Sequence, residues 1–226
     1  MKLSCLPRLL SLTICVQNIC RNFNDVYQLI FALPMLKYNK FYAYEDKNSI
    51  SRPMVINKQQ SPIECLIIAH SCAFNQLLAL LSNTSELRYL KCLHKKEIDS
   101  TIKMILPIKL LNLKHISIEM DYVKFDEFEM FISKLYSKLE VLSIINKSED
   151  PTYLNAYEWE RLIEQYLPQL KKFYLKFYKQ NPNRNHSPVY FRGSKQFFSS
   201  FWIERQWLFE VKINDQHTIY SIQPYR

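Results

Sequence analysis

Leu113-Lys114-His115-Ile116-Ser117-Ile118 and, 26 residues later, Leu139-Glu140-Val141-Leu142-Ser143-Ile144 are two copies of one phrase, Leu-x-x-Leu-x-Ile. On either side of them the phrase recurs with tolerated swaps, as Leu9-Leu12-Ile14, Leu36-Asn39-Phe41, Ile63-Leu66-Ile68, Leu87-Leu90-Cys92 and Leu170-Phe173-Leu175. The first positions of the seven copies lie 27, 27, 24, 26, 26 and 31 residues apart. Leucine-rich repeats have a period of roughly 20–29 residues. Side chains alternate across a strand, so the second and third apolar positions of each phrase point inward and the residues beside them outward. The phrase therefore predicts an α/β leucine-rich-repeat solenoid, a curved parallel sheet with helices on its convex side.

The stretches ahead of the phrases carry the helices. Phe23–Phe31, Phe74–Leu81 and Phe125–Ile132 each begin with a Phe that precedes the next repeat Leu by 13, 13 and 14 residues. Asn24, Asn75 and Asp126 are placed to cap those helices, with the Phe residues stapling their starts. A fourth helix, near Asn155–Tyr166, has Trp159, Leu162, Ile163 and Tyr166 on one stripe. Pro34, Pro107 and Pro168 mark turns from helix to strand, since proline cannot continue a helix. Arg52–Ile56 reads as extended. Residues 1–178 form the solenoid in this reading and 179–196 a polar, proline-containing loop or linker. Residues 197–226 form an aromatic segment and a β-hairpin, with strands around Trp207–Ile213 and Thr218–Ile222, that caps the open end.

Bulk properties narrow the function classes. One glycine, Gly193, in 226 residues speaks against glycine-rich phosphate loops and dinucleotide fingerprints. Six cysteines without a Cys-x-x-Cys pair read as reduced thiols, and the protein as cytoplasmic or nuclear. Cys65, His70, Cys72, Cys92 and His94 gather on neighbouring strands, but their alternation sends them to both faces, so no metal site is expected. Asp126, Glu127 and Glu129 suit a helix start, where acids favour the macrodipole. The histidines fit no triad, so neither an enzyme nor a cofactor is expected. No apolar run reaches the ~20 residues that span a bilayer, and the signal-like start is broken by Pro7 and Arg8. The net charge of +9 is uneven, about +5 in each of residues 1–60 and 151–226, with 106–150 slightly acidic.

Three further signatures, Phe125-Asp126-Glu127-Phe128-Glu129-Met130-Phe131-Ile132, Trp159-Glu160-Arg161-Leu162-Ile163, and the tail Phe201-Trp202-Ile203-Glu204-Arg205-Gln206-Trp207 with Ile219-Tyr220-Ser221-Ile222-Gln223-Pro224-Tyr225, add to the repeats. With them the chain resembles the F-box/leucine-rich-repeat-like proteins, a lineage-expanded family of some invertebrates. The resemblance implies a substrate-binding part of a ubiquitin-ligase receptor, in which an N-terminal F-box docks the ligase and the repeats hold the substrate. This chain starts inside the repeats, so it is expected to lack the F-box and not to engage ligase subunits itself.

The expected working surface is the concave strand face. Tyr38 and Lys40, Tyr89 and Lys91, His115, and Lys172, Tyr174 and Lys176 are the candidate partner-binding residues. Tyrosine gives large contact area at low entropy cost and lysine adds charge, which together suit an acidic protein partner. The Tyr38/Lys40, Tyr89/Lys91 and Tyr174/Lys176 pairs should align as one stripe. The alternative is a stand-alone scaffold that contacts RNA or another polyanion through Lys171–Lys179, where basic and aromatic residues interleave. A monomer without membrane contact is expected.

Overall fold

The computed structural model describes residues 8–16, 23–43, 60–95, 106–180, 196–214 and 216–225. The chain is α/β, and its main sheet has nine strands, most of them parallel. Every phrase supplies one strand: β1 (Ser11–Val16), β2 (Tyr38–Ala43), β3 (Cys65–Ser71), β4 (Tyr89–Lys95), β6 (His115–Asp121), β8 (Val141–Lys147) and β9 (Lys172–Gln180). These seven pair in parallel and in chain order. Their register is that of the repeat. Leu12, Asn39, Leu66, Leu90, Ile116, Leu142 and Phe173 form one row. Ile14, Phe41, Ile68, Cys92, Ile118, Ile144 and Leu175 form the next.

Both rows turn to the core and are buried from β2 onward, where the alternation of apolar residues predicts it. Asn39 is the polar exception. It stays buried, and its Nδ2 donates to the Leu12 carbonyl of the neighbouring strand at 3.3 Å. β1 is an edge, and its Leu12 and Ile14 are only half-buried.

Four helices cover this inner face: α1 (Phe23–Phe31), α2 (Phe74–Leu81), α3 (Phe125–Ser133) and α4 (Ala156–Tyr166). Tyr27 of α1 packs on Phe41, Phe74 of α2 stacks on His94 and Trp159 of α4 sits on Phe173. α3 bridges its neighbours, Phe131 against Phe74 and Phe125 edge-on to Trp159.

Asn155 caps α4 by accepting from the Tyr157 amide. α2 and α3 start differently from expectation. Their N-caps are Ala73 and Lys124, one residue ahead of the Phe, and neither makes a side-chain cap bond. Instead Gln76 and Glu127 reach back to accept from the amides of Ala73 and Lys124, the returning half of a capping box. Asn75 and Asp126 accept from the next residue's amide. The Phe125 amide is taken by Asp150, from the following repeat. The residue ahead of α1 lies outside the described residues.

A second, two-stranded sheet pairs β5 (Ile108–Leu110) with β7 (Leu135–Ser137) in parallel, ahead of β6 and β8 respectively. After β9 the topology changes. α5 (Ser200–Glu204) precedes a hairpin of β10 (Trp207–Ile213) and β11 (His217–Pro224). β11 pairs antiparallel with β9, and β10 forms the far edge. β9 runs through Gln180, so the strand extends two residues into the segment read as linker. Residues 181–195, and Arg52–Ile56 with its surroundings, lie outside the described residues. The hairpin closes the core with aromatics. Phe173, Trp202 and Trp207 are buried together, and the Trp202 indole donates to Glu160 at 2.6 Å.

Candidate functional site

The same register that buries alternate residues displays the others on the opposite, open face. Tyr38, Cys65, Tyr89, His115, Val141 and Lys172 form one row across β2 to β9. Lys40, Ile67, Lys91, Ser117, Ser143 and Tyr174 form the next. Glu119, Ile145 and Lys176 follow on β6, β8 and β9. Lys91, Lys172, Tyr174 and Lys176 are exposed, and the rest of these residues are half-buried by their neighbours in the sheet.

All eight candidate residues lie on this face, but not as one stripe of pairs. Tyr38 and Tyr89 share a row, and Lys40 and Lys91 share the next. Tyr174 falls in the lysine row and Lys172 in the tyrosine row, with Lys176 one row further on. The cause is local. Lys-x-Tyr-x-Lys in β9 runs two residues out of step with Tyr-x-Lys in β2 and β4.

Contacts within the face give it its chemistry. Tyr89 and His115 place their rings 4.6 Å apart. Burial raises the Tyr89 hydroxyl above its usual pKa and lowers the His115 imidazole, so both favour their neutral forms. Lys40 lies 4.5 Å over the Tyr42 ring, and hydrogen bonding to Tyr42 raises its pKa. Among the described residues no carboxylate comes within ion-pair distance of Lys40, Lys91, Lys172 or Lys176. Lys147 differs, since Glu119 meets it at 2.9 Å.

Along the rim where the strands begin runs a charged ladder that the sequence reading passed over. Its members follow the first apolar residue of the last six phrases: Lys37, Glu64, Arg88, Lys114, Glu140 and Lys171. The amide of each of the last five donates to the carbonyl of the one before, at 2.8–3.0 Å. Lys37 and Arg88 flank Glu64 at 2.9 and 3.2 Å, and Lys114 and Lys171 both hold Glu140 at 2.8 Å. Those two lysines keep the Glu140 carboxyl ionised down to a pKa of about 2. The rim is thus charge-paired, whereas Lys40, Lys91, Lys172 and Lys176 on the open face have no ion-pair partner among the described residues. The signal was available as a charged residue at one repeat position in six of the phrases.

Other clusters resolve into structure. His70 and His94 are buried on the inner side, where His70 Nε2 meets the Tyr27 hydroxyl at 2.7 Å and its Nδ1 the Ser71 carbonyl at 2.8 Å. His94 Nδ1 meets the Cys72 carbonyl at 2.7 Å. Among the described residues no group of His, Cys, Asp or Glu is disposed to hold a metal ion. A cavity of about 780 Å³ at the starts of α3 and α4 is lined by Asp126, Glu129, Asp150 and Glu158. Four of its carboxylates are engaged, Asp126 by the Glu127 amide. Arg161 grips Glu129 and Glu158, and Asp150 accepts from the Phe125 and Thr152 amides.

No protein-family model matches the chain, and no curated protein matches it in sequence. Among the described residues no helix is long and apolar enough to cross a membrane.

Proposed function

We propose that this chain is a leucine-rich-repeat solenoid acting as a protein-recognition module, with the open sheet face as its partner site. The seven phrases in one register support the repeat reading. The observation that carries the function is the sheet face left uncovered by the described residues. It spans β2 to β9 and mixes the half-buried Tyr38 and Tyr89 and the exposed Tyr174 with lysines that meet no carboxylate among the described residues. Aromatic anchors dominate protein interfaces, and unpaired cations favour an acidic partner. By its resemblance to F-box/leucine-rich-repeat-like proteins, the module corresponds to the substrate-binding repeats of a ubiquitin-ligase receptor. Its role is non-catalytic.

The test is affinity capture from cell lysate with the native chain and with Tyr89→Ala/Tyr174→Ala, followed across a salt series. The double variant should keep its fold and lose the bound protein. Recovery of the same partners would remove the open face from consideration. A loss of binding that is linear and steep in log salt, with nucleic acid in the eluate, would favour the polyanion scaffold instead.

A further inference from the structure

β10 is the last strand of the sheet, and its outer edge has no neighbour among the described residues. The Asn214 amide donates to the His217 carbonyl at 3.0 Å and closes the hairpin. Antiparallel pairs alternate between those that exchange both backbone bonds and those that exchange none. From that closing pair, Lys212–Ile219 and Glu210–Ser221 are bonded pairs, whereas Ile213–Thr218, Val211–Tyr220 and Phe209–Ile222 are not. The amides and carbonyls of Phe209, Val211 and Ile213 therefore point away from β11, toward the free edge. Val211 and Ile213 are also 45% and 56% exposed.

We propose that this edge pairs with the same edge of a second copy of the chain, antiparallel about a two-fold axis at Val211. In that register Val211 faces Val211 and Phe209 faces Ile213, all through groups already aimed outward. Glu210 then faces Lys212 of the other copy in the pairs that exchange no backbone bonds, where side chains approach most closely. Both charges stand on the open face, Glu210 with Lys212 only 4.0 Å away on its own strand. A two-fold interface needs a self-complementary surface, and β10 has one: apolar at 209, 211 and 213, acidic at 210, basic at 212. Moving the axis one residue either way sets Glu210 on Glu210 or Lys212 on Lys212, so the charges select the register. A lysine on an edge strand ordinarily discourages pairing; here the acid two residues away receives it. The proposal departs from the monomer expected from sequence and does not rest on the partner site proposed above.

The test is sedimentation equilibrium of the full chain over a concentration series. The native chain should form a weak, micromolar dimer, as suits a small interface. Glu210→Lys or Lys212→Glu alone places like charges opposite and should lower the association constant at least about tenfold. Mixed together, the two variants pair opposite charges again and should recover association as a heterodimer. Val211→Pro should abolish dimerisation, because the amide it removes faces the free edge and not β11. Thermal melts separate a lost interface from a lost fold; if Val211→Pro unfolds, the mixing experiment decides. A native chain that stays monomeric at every concentration, or a dimer indifferent to the charge changes and their mixture, overturns the proposal.

Discussion

The inner face under β3 and β4 and the inner face under β8 and β9 are built from the same repeat, yet they solve burial differently. The first buries polar rings. His70 and His94 turn inward and use ring nitrogens to hold the turns into the helices, where His94 also stacks on Phe74 at 4.0 Å. The second buries hydrocarbon. Trp159, Phe173, Phe177, Trp202 and Trp207 fill it, and the indoles of Trp159, Trp202 and Trp207 each find an acceptor. One row makes the contrast sharp: His94, Met120, Asn146 and Phe177 are register partners. The same repeat position tolerates ionisable, apolar, amide and aromatic side chains: His94 settles its ring nitrogen on the Cys72 carbonyl, whereas the Asn146 amide has no partner among the described residues. The repeat thus prescribes direction, and each local neighbourhood prescribes chemistry.

The largest effect should come from the aromatic end. Trp159 is fully buried, touches Phe125, Phe128, Tyr153 and Phe173, and its indole donates to the Tyr153 carbonyl at 2.9 Å. Trp159→Ala should cost about 3–5 kcal/mol in chemical denaturation. A loss under about 1 kcal/mol would mean that this end contributes little to the fold.

The histidine end should be the acid-sensitive one. Burial pushes the His70 imidazole down to about 4, against an ordinary value near 6.5, and burial lowers His94 as well. Protons therefore bind the unfolded chain first. The stability that neutral His70 contributes is complete above about pH 6.5 and is lost as pH falls from there to about 4. The shift corresponds to something on the order of 3 kcal/mol. Denaturant midpoints between pH 7 and 4 should show the fall, and His70→Met should flatten it. Trp159→Ala should keep the native slope. A native profile that is flat over that window would remove the distinction between the two ends.

The smallest effect should have the opposite sign. Asn146 is fully buried, and among the described residues neither its Oδ1 nor its Nδ2 has a hydrogen-bond partner. An unsatisfied buried polar group costs about 1–3 kcal/mol, and an apolar group of similar shape avoids that cost. Asn146→Leu should therefore raise the melting temperature slightly, whereas His94→Leu, which breaks a made bond, should lower it. A clear loss of stability in Asn146→Leu would show that the amide is satisfied.

The strands were legible because period-two alternation and a recurring leucine are carried by the residues themselves, so Leu113–Ile118 and Leu139–Ile144 could be placed side by side before any coordinates. The helices opening at Phe74 and Phe125 were legible, but their caps lie two residues ahead of the expected Asn75 and Asp126. The error at α2 and α3 arose because the N-caps are Ala73 and Lys124, residues without the usual capping side chain, while Gln76 and Glu127 supply the bond from inside the helix. β5 and β7 were missed because three residues such as Ile108–Leu110 are too short to show a period. The face of the candidate site could be read, but its pattern could not. Alignment by residue type placed Tyr174 with Tyr38 and Tyr89, and only the backbone register reveals the two-residue offset. The ion-paired rim spans neighbouring repeats, a relation that appears only when the phrases are written above one another.

The order of the strands also carries a consequence for synthesis. From β1 to β9 the sheet grows in the order in which the chain is made, so each new strand can dock on the one before as it leaves the ribosome. The hairpin breaks that rule, because β11, made last, lies between β9 and β10. Until Thr218–Ile222 emerge, the backbone edge of β9 that pairs with β11 lacks that partner. The interval between the translation of β9 and of β11 is the one in which the strand order leaves that edge waiting for its partner, and unpaired strand edges are where misassembly starts.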